Sequence, residues 1–106
     1  MKNNKIIFKF TAIEEVVCNH FGIEKGKLWN SKRIQNTAEA RQVFYYISYY
    51  INDCVPHKKI AEYTGQTRPN AIRSVKKVSS LMDVDNHFET EVTLLYNYCK
   101  KHLKQV

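Results

Sequence analysis

No apolar run in the sequence is long enough to cross a bilayer; the nearest approach, Ile6-Ile7-Phe8, is broken by Lys9. A spanning helix needs about 20 apolar residues and a signal peptide an uninterrupted apolar stretch of about 7–15. The chain is therefore expected to be cytoplasmic and to make no use of a membrane. Glycine and proline are scarce, three and two in 106 residues, which excludes collagen-like and low-complexity composition and favours helix. The cysteines number three; an odd count without a secretion signal argues for reduced thiols and against a disulfide framework.

Chemistry-bearing motifs are missing as well. There is no phosphate-cradling glycine loop, no nucleophile elbow and no paired-carboxylate constellation, so neither a nucleotide site nor catalysis is expected. Each cysteine has a histidine close behind it (Cys18 and His20, Cys54 and His57, Cys99 and His102). None of these spacings is the paired Cys-x-x-Cys of a zinc site, and the expectation is no metal and no cofactor.

What is present is one domain's worth of chain with 43% hydrophobic residues, enough for a single core. The formal charge is +7, and it is concentrated. Residues 25–82 hold eleven basic residues (Lys25, Lys27, Lys32, Arg33, Arg41, Lys58, Lys59, Arg68, Arg73, Lys76, Lys77) against three acids, a net +8, while the flanks together carry −1. A single-sign field of this kind attracts a polyanion, and double-stranded nucleic acid is the commonest such partner. An anionic membrane surface fits less well, because the basic residues fall in separate short segments and not along one amphipathic helix. A solvated surface excess with no partner is the remaining reading.

Hydrophobic periodicity predicts five helices. Residues 1–10 form an N-terminal arm whose conformation the sequence leaves open; a helical domain over 11–106 follows. The box Thr11-x-x-Glu14 caps a first helix over about 11–21, with Ile13, Val16, Val17 and Phe21 apolar and Gly22 as its C-cap. A basic connector then offers Ile23, Leu28 and Trp29 to the core. Thr37 is read as the cap of a central helix with Ala40, Val43, Phe44, Ile47 and Ile51 on one stripe. Its other faces carry Tyr45, Tyr46, Tyr49 and Tyr50, some of which must be packed. Pro56 starts a short helix to about Tyr63 that Gly65 ends. Thr67-Arg68-Pro69 opens the next, with Ile72, Val75, Val78 and Met82 inward and Asn70, Arg73, Lys76 and Lys77 outward. Asp85 or Asn86 starts the last helix, with Phe88, Val92, Leu95, Tyr96, Cys99 and Leu103 at core spacing.

A short helix, a glycine turn and a second helix with a basic polar face, here residues 57–82, is the pattern of a DNA-binding helix-turn-helix. No acid occurs from Tyr63 to Met82, which separates this corner from one made purely for packing.

These residues resemble a known family, the C-terminal DNA-binding domain of the bacterial replication initiator DnaA, an all-α bundle with a Trp-repressor-like helix-turn-helix. The resemblance covers about residues 11–100. It is carried by Ile13-Glu14-Glu15-Val16-Val17 with Phe21, by Leu28 before Ser31-Lys32-Arg33, by Ala40-Arg41-Gln42-Val43, by Ile60-Ala61 with Gly65, and by Asn70-Ala71-Ile72-Arg73-Ser74-Val75-Lys76-Lys77-Val78. It implies that Lys32 and Arg33 lie in a basic loop serving the minor groove and that Arg41 approaches the phosphate backbone. Thr67, Arg68, Pro69 and Asn70 fall where the family carries its Asp-His-Thr-Thr base-reading signature, and all four differ. Lys58 and Lys59 replace a Pro-Glu-like pair and add phosphate affinity. The expected site is therefore Lys32, Arg33, Arg41, Lys58, Lys59, Thr67, Arg68, Asn70, Arg73, Lys76 and Lys77, acting on duplex DNA in replication or transcription control, with little preference for the initiator's own box. The initiator's ATPase and helicase-loading parts have no counterpart in this sequence. The alternative is a protein-interaction adaptor using the Tyr-rich helix; RNA is a third option whose usual strand platforms are not visible. Oligomeric state, protein partners and target sequence are not fixed by the sequence.

Overall fold

In a computed structural model, the described residues are 9–24, 26–29 and 35–103. Among them the chain forms five helices in order: α1 (Phe10–Phe21), α2 (Gln35–Ile51), α3 (His57–Thr64), α4 (Arg68–Val84) and α5 (Asn86–His102). Helix α2 is the axis on which α1, α3, α4 and α5 all pack. Its apolar stripe explains this position: Ala40, Val43, Phe44 and Ile47 are fully buried, and Ile51 is packed at its end.

Phe44 is the hub of the core. Phe10 of α1, Trp29 of the connector, Tyr45 of α2 and Tyr63 of α3 all place their rings 5.4–6.3 Å from it. Such separations give edge and offset contacts that add to simple area burial. One aromatic residue thereby joins three helices and the connector.

The helix ends follow local chemistry in some places and tertiary packing in others. Gly22 and Gly65 adopt the left-handed conformation that ends α1 and α3. Asp85 caps α5, its carboxylate accepting from the Phe88 amide at 3.1 Å. The capping box expected at Thr11 does not form. Helix α1 starts at Phe10, which is buried and so belongs to the core and not to an arm, and Lys9 at the cap makes no side-chain cap bond. Glu14 instead accepts a 2.6 Å hydrogen bond from the Tyr63 phenol, which also lies 3.3 Å from the Thr11 hydroxyl. Thr37 is likewise not a cap: α2 begins at Gln35 and Thr37 is buried in its first turn. In α4 the innermost stripe is Ala71, Val75 and Val78, with Ile72 and Met82 half-buried beside it.

Among the described residues no helix is long and apolar enough to cross a membrane.

Candidate nucleic-acid interface

The corner between α3 and α4 is built around Thr64. Its side chain is buried, and its hydroxyl bonds the Ala61 carbonyl at 3.2 Å and accepts from the Gln66 amide at 3.1 Å. The Tyr45 phenol of α2 lies 3.1 Å from the same oxygen. Burial is the main cause that pushes the Tyr45 phenol above its ordinary value, against the Thr64 hydrogen bond and the Arg41 charge, which lower it. Its proton therefore stays on. The Gly65 amide completes the turn on the Ala61 carbonyl at 2.9 Å. The sequence reading did not name Thr64 as a functional residue; it is a hydrogen-bonded pin that fixes how α4 leaves α3.

Helix α4 then begins on Thr67, whose extended backbone and hydroxyl make an N-cap, accepting from the Asn70 amide at 3.3 Å. Arg68 is the first helical residue and Pro69 the second, one position later than the proline preference alone predicts. The exposed face carries a linked row. Asn70 donates from Nδ2 to Gln66 Oε1 at 3.4 Å, and Arg73 Nη2 donates to Asn70 Oδ1 at 3.3 Å. Lys77 follows one turn later and is exposed. Gln66, adjacent to the expected site residues, was missed because a polar turn residue carries no distinctive sequence signal.

A second flank of α4 faces the start of α3. His57 is sandwiched there, its ring stacked on Tyr49 at 4.4 Å with an interplanar angle of 6°. Its Nδ1 is buried and has no hydrogen-bond partner among the described residues. Desolvation first, and then the positive charges of Arg68 and Lys76, lower its pKa below the ordinary value of 6.5. Arg68 and Lys76 thus project along the flank next to α3, where Lys58 and Lys59 are also exposed, while Asn70, Arg73 and Lys77 form the parallel row.

Arg41 sits elsewhere, at the connector. Its Nε donates to the Leu28 carbonyl at 2.6 Å and its guanidinium carbon lies 5.8 Å from the centre of the Trp29 ring. Lys32 and Arg33 lie outside the described residues. The aromatic face expected for an adaptor is mostly consumed by packing: Tyr45 is buried, Tyr46 and Tyr49 are packed against the core, and Tyr50 alone of the four is exposed, at 39%. No cluster of three or more His, Cys, Asp or Glu side chains suited to a metal ion occurs among the described residues.

Two comparisons with known proteins bear on this corner. A family model described as the bacterial dnaA protein helix-turn-helix matches residues 10–78. The chromosomal replication initiator protein DnaA of Synechococcus sp. (strain JA-2-3B'a(2-13)) is 33% identical over 85 residues, covering 78% of this chain and 18% of the initiator. The chain thus spans under a fifth of the length of that curated relative. No solved structure matches it.

Proposed function

The chain belongs to the bacterial DnaA helix-turn-helix family, and from that premise we propose that it is a double-stranded DNA-binding domain, acting in replication or transcription control. The observation that carries the reading is the exposed surface of α4, free of acids from Arg68 to Met82, behind a hydrogen-bonded turn, with Asn70 and Arg73 on one row and Arg68, Lys76, Lys58 and Lys59 beside it. The N-terminal turn of a recognition helix enters the major groove first. Arg68, Asn70 and Arg73 are therefore the base-reading residues, capped in place by Thr67. Lys58, Lys59, Lys76 and Lys77 lie against phosphates and set affinity without reading sequence.

Arg41, on the second turn of α2 and beside the connector, approaches the phosphate backbone away from the α3–α4 corner. Lys32 and Arg33, from the connector, take the adjacent minor groove, where arginine suits a narrow A·T-rich stretch. Arg33→Ala accordingly weakens binding most on A·T-rich flanks. The replaced signature at Thr67–Asn70 gives at most weak preference for the initiator's own box.

Affinity for duplex DNA measured across a salt series tests the reading. Neutralising about four to six phosphates gives a log–log slope of roughly −4 to −5. Undetectable binding at low salt, or affinity that is flat with salt, overturns it.

A further inference from the structure

His57, the first residue of α3, is the histidine of the α3–α4 corner; His20, His87 and His102 belong to α1 and α5. Its ring is half-buried and lies flat on Tyr49 of α2, the centres 4.4 Å apart and the planes 6° from parallel. Nδ1 is the enclosed nitrogen and has no partner among the described residues. Nε2 is left as the polar atom at the ring's open edge.

Helix α3 packs chiefly on α4 and α2. From α4, the charges that bear on the ring are those of Arg68 and Lys76; Asp83, the acid of that helix, lies at its far end. On α3 itself the exposed Lys58 and Lys59 follow His57, and Glu62 points about 140° away around the helix. From α2 the ring meets the Tyr49 phenol, and the turn beyond carries Asp53 and Cys54, both exposed. Desolvation and the two cations of α4 together keep the ring neutral at pH 7 in the free chain.

A phosphate brought between Arg68 and Lys76 reverses that balance. It neutralises the cations that oppose protonation, and an anion within about 4–6 Å of a titrating group favours its charged form by about one to three pKa units. The charged ring donates Nε2–H to a phosphate oxygen in a charge-assisted bond, stronger than that of a neutral ring. Its positive face also lies on the electron-rich face of Tyr49, which favours the cation.

We propose that His57 is a phosphate ligand on this flank that takes up a proton when duplex DNA binds, so that affinity rises as pH falls. The proposal rests on the DNA-binding reading and adds a titrating residue to its fixed charges. Below the pKa of the free chain the ring is charged with or without DNA, and above that of the complex it is charged in neither. The gain in affinity accrues between the two.

Affinity for a short duplex of mixed sequence, measured by fluorescence anisotropy at one salt concentration, is expected to be about three- to tenfold tighter at about pH 5.5 than at about pH 7.5. Calorimetric titrations at about pH 6.5, in two buffers of different ionisation enthalpy, should show net proton uptake by the wild type. NMR titration of the wild-type His57 ring should move to higher pH when duplex is added, a measurement that needs no variant. His57→Gln is expected to lose the uptake and most of the gain at low pH. His57→Arg, whose planar fixed charge can lie on Tyr49, should bind more tightly than His57→Gln and with little pH dependence. Salt-sensitive binding that is equally strong at both pH values, or proton uptake unchanged in His57→Gln, overturns the assignment of His57 and leaves the DNA-binding reading intact. Undetectable binding at both pH values at low salt overturns the two together.

Discussion

Arg41 reaches back across the connector to bond Leu28: its Nε donates to the Leu28 carbonyl at 2.6 Å while its guanidinium lies over the Trp29 ring. Leu28 is fully buried and Trp29 packs edge-on against Phe44 at 5.4 Å. The arginine therefore fastens the connector to the core, besides the phosphate contact proposed for it. A planar guanidinium can do both; a lysine ammonium cannot reproduce the Nε bond and the ring contact together. Arg41→Ala is expected to cost about 1–2 kcal/mol of stability, and Arg41→Lys to recover DNA affinity better than stability. Urea denaturation beside a binding titration measures both. An Arg41→Ala variant of unchanged stability shows that the connector bond contributes nothing.

The corner itself makes the next expectation. Thr64 supplies one buried hydroxyl to Ala61, Gln66 and Tyr45. Thr64→Val keeps the shape and removes the oxygen, leaving the Tyr45 phenol and the Gln66 amide short of a partner. Unpaired buried polar groups cost about 1–3 kcal/mol. Thermal unfolding of Thr64→Val should show a loss in that range, with Thr64→Ser retaining most of the stability.

Where the chemistry was local, the sequence was readable. Asp85 caps α5, Gly22 and Gly65 end their helices, and the polar row of Asn70, Arg73 and Lys77 follows from helical spacing alone. Thr11 and Thr37 were misread because a helix start is set by what its first turn buries. Phe10 is drawn into the aromatic cluster, so α1 begins before the threonine, and Glu14 bonds Tyr63, forty-nine residues away. The Thr64–Tyr45 contact spans nineteen positions, and no periodicity encodes it. Arg41 was legible as a basic residue at the head of α2, but its bond to a carbonyl in the connector was not. Lys32 and Arg33 rest on the family resemblance.

The three thiols differ in reactivity for physical reasons. Cys54 is exposed, whereas Cys18 and Cys99 are buried. Burial pushes the Cys99 thiol up to about 11 and, with Glu14 and Glu15 adding, raises that of Cys18. Thiolate is the reacting form. A disulfide reagent at neutral pH should label Cys54 rapidly in the native chain and all three only after denaturation; fast labelling of Cys99 contradicts this packing.

His57 gives the fold a pH dependence of definite sign. Its pKa is lowered in the folded chain by desolvation and by Arg68 and Lys76, from 6.5. Above pH 6.5 the ring is neutral in both folded and unfolded chains, so stability is unaffected. As pH falls below 6.5, the unfolded chain takes up a proton that the folded chain resists, and stability declines until the lowered native pKa is passed. Urea midpoints at about pH 7.5 and 5.5 should therefore differ less in His57→Gln than in the wild type; an identical difference in the two removes His57 as the source.

The sharpest expectation concerns base reading at the start of α4. Asn70 is held between Gln66 and Arg73, its amide donating to one and its carbonyl oxygen accepting from the other. Both amide atoms are thus pre-oriented at the helix N-terminus, where side chains reach base edges first. Asparagine pairs bidentately with adenine and arginine with guanine, each discriminating by about 1–3 kcal/mol. A duplex selection should return a preferred site containing a purine whose importance disappears with Asn70→Ala or Arg73→Ala. The two losses should not be additive, because removing Asn70 also releases Arg73 from its partner. Lys76→Ala and Lys77→Ala should instead weaken all sequences alike and reduce the salt slope by about one each. An Asn70→Ala variant that selects an unchanged motif places the reading elsewhere on the chain.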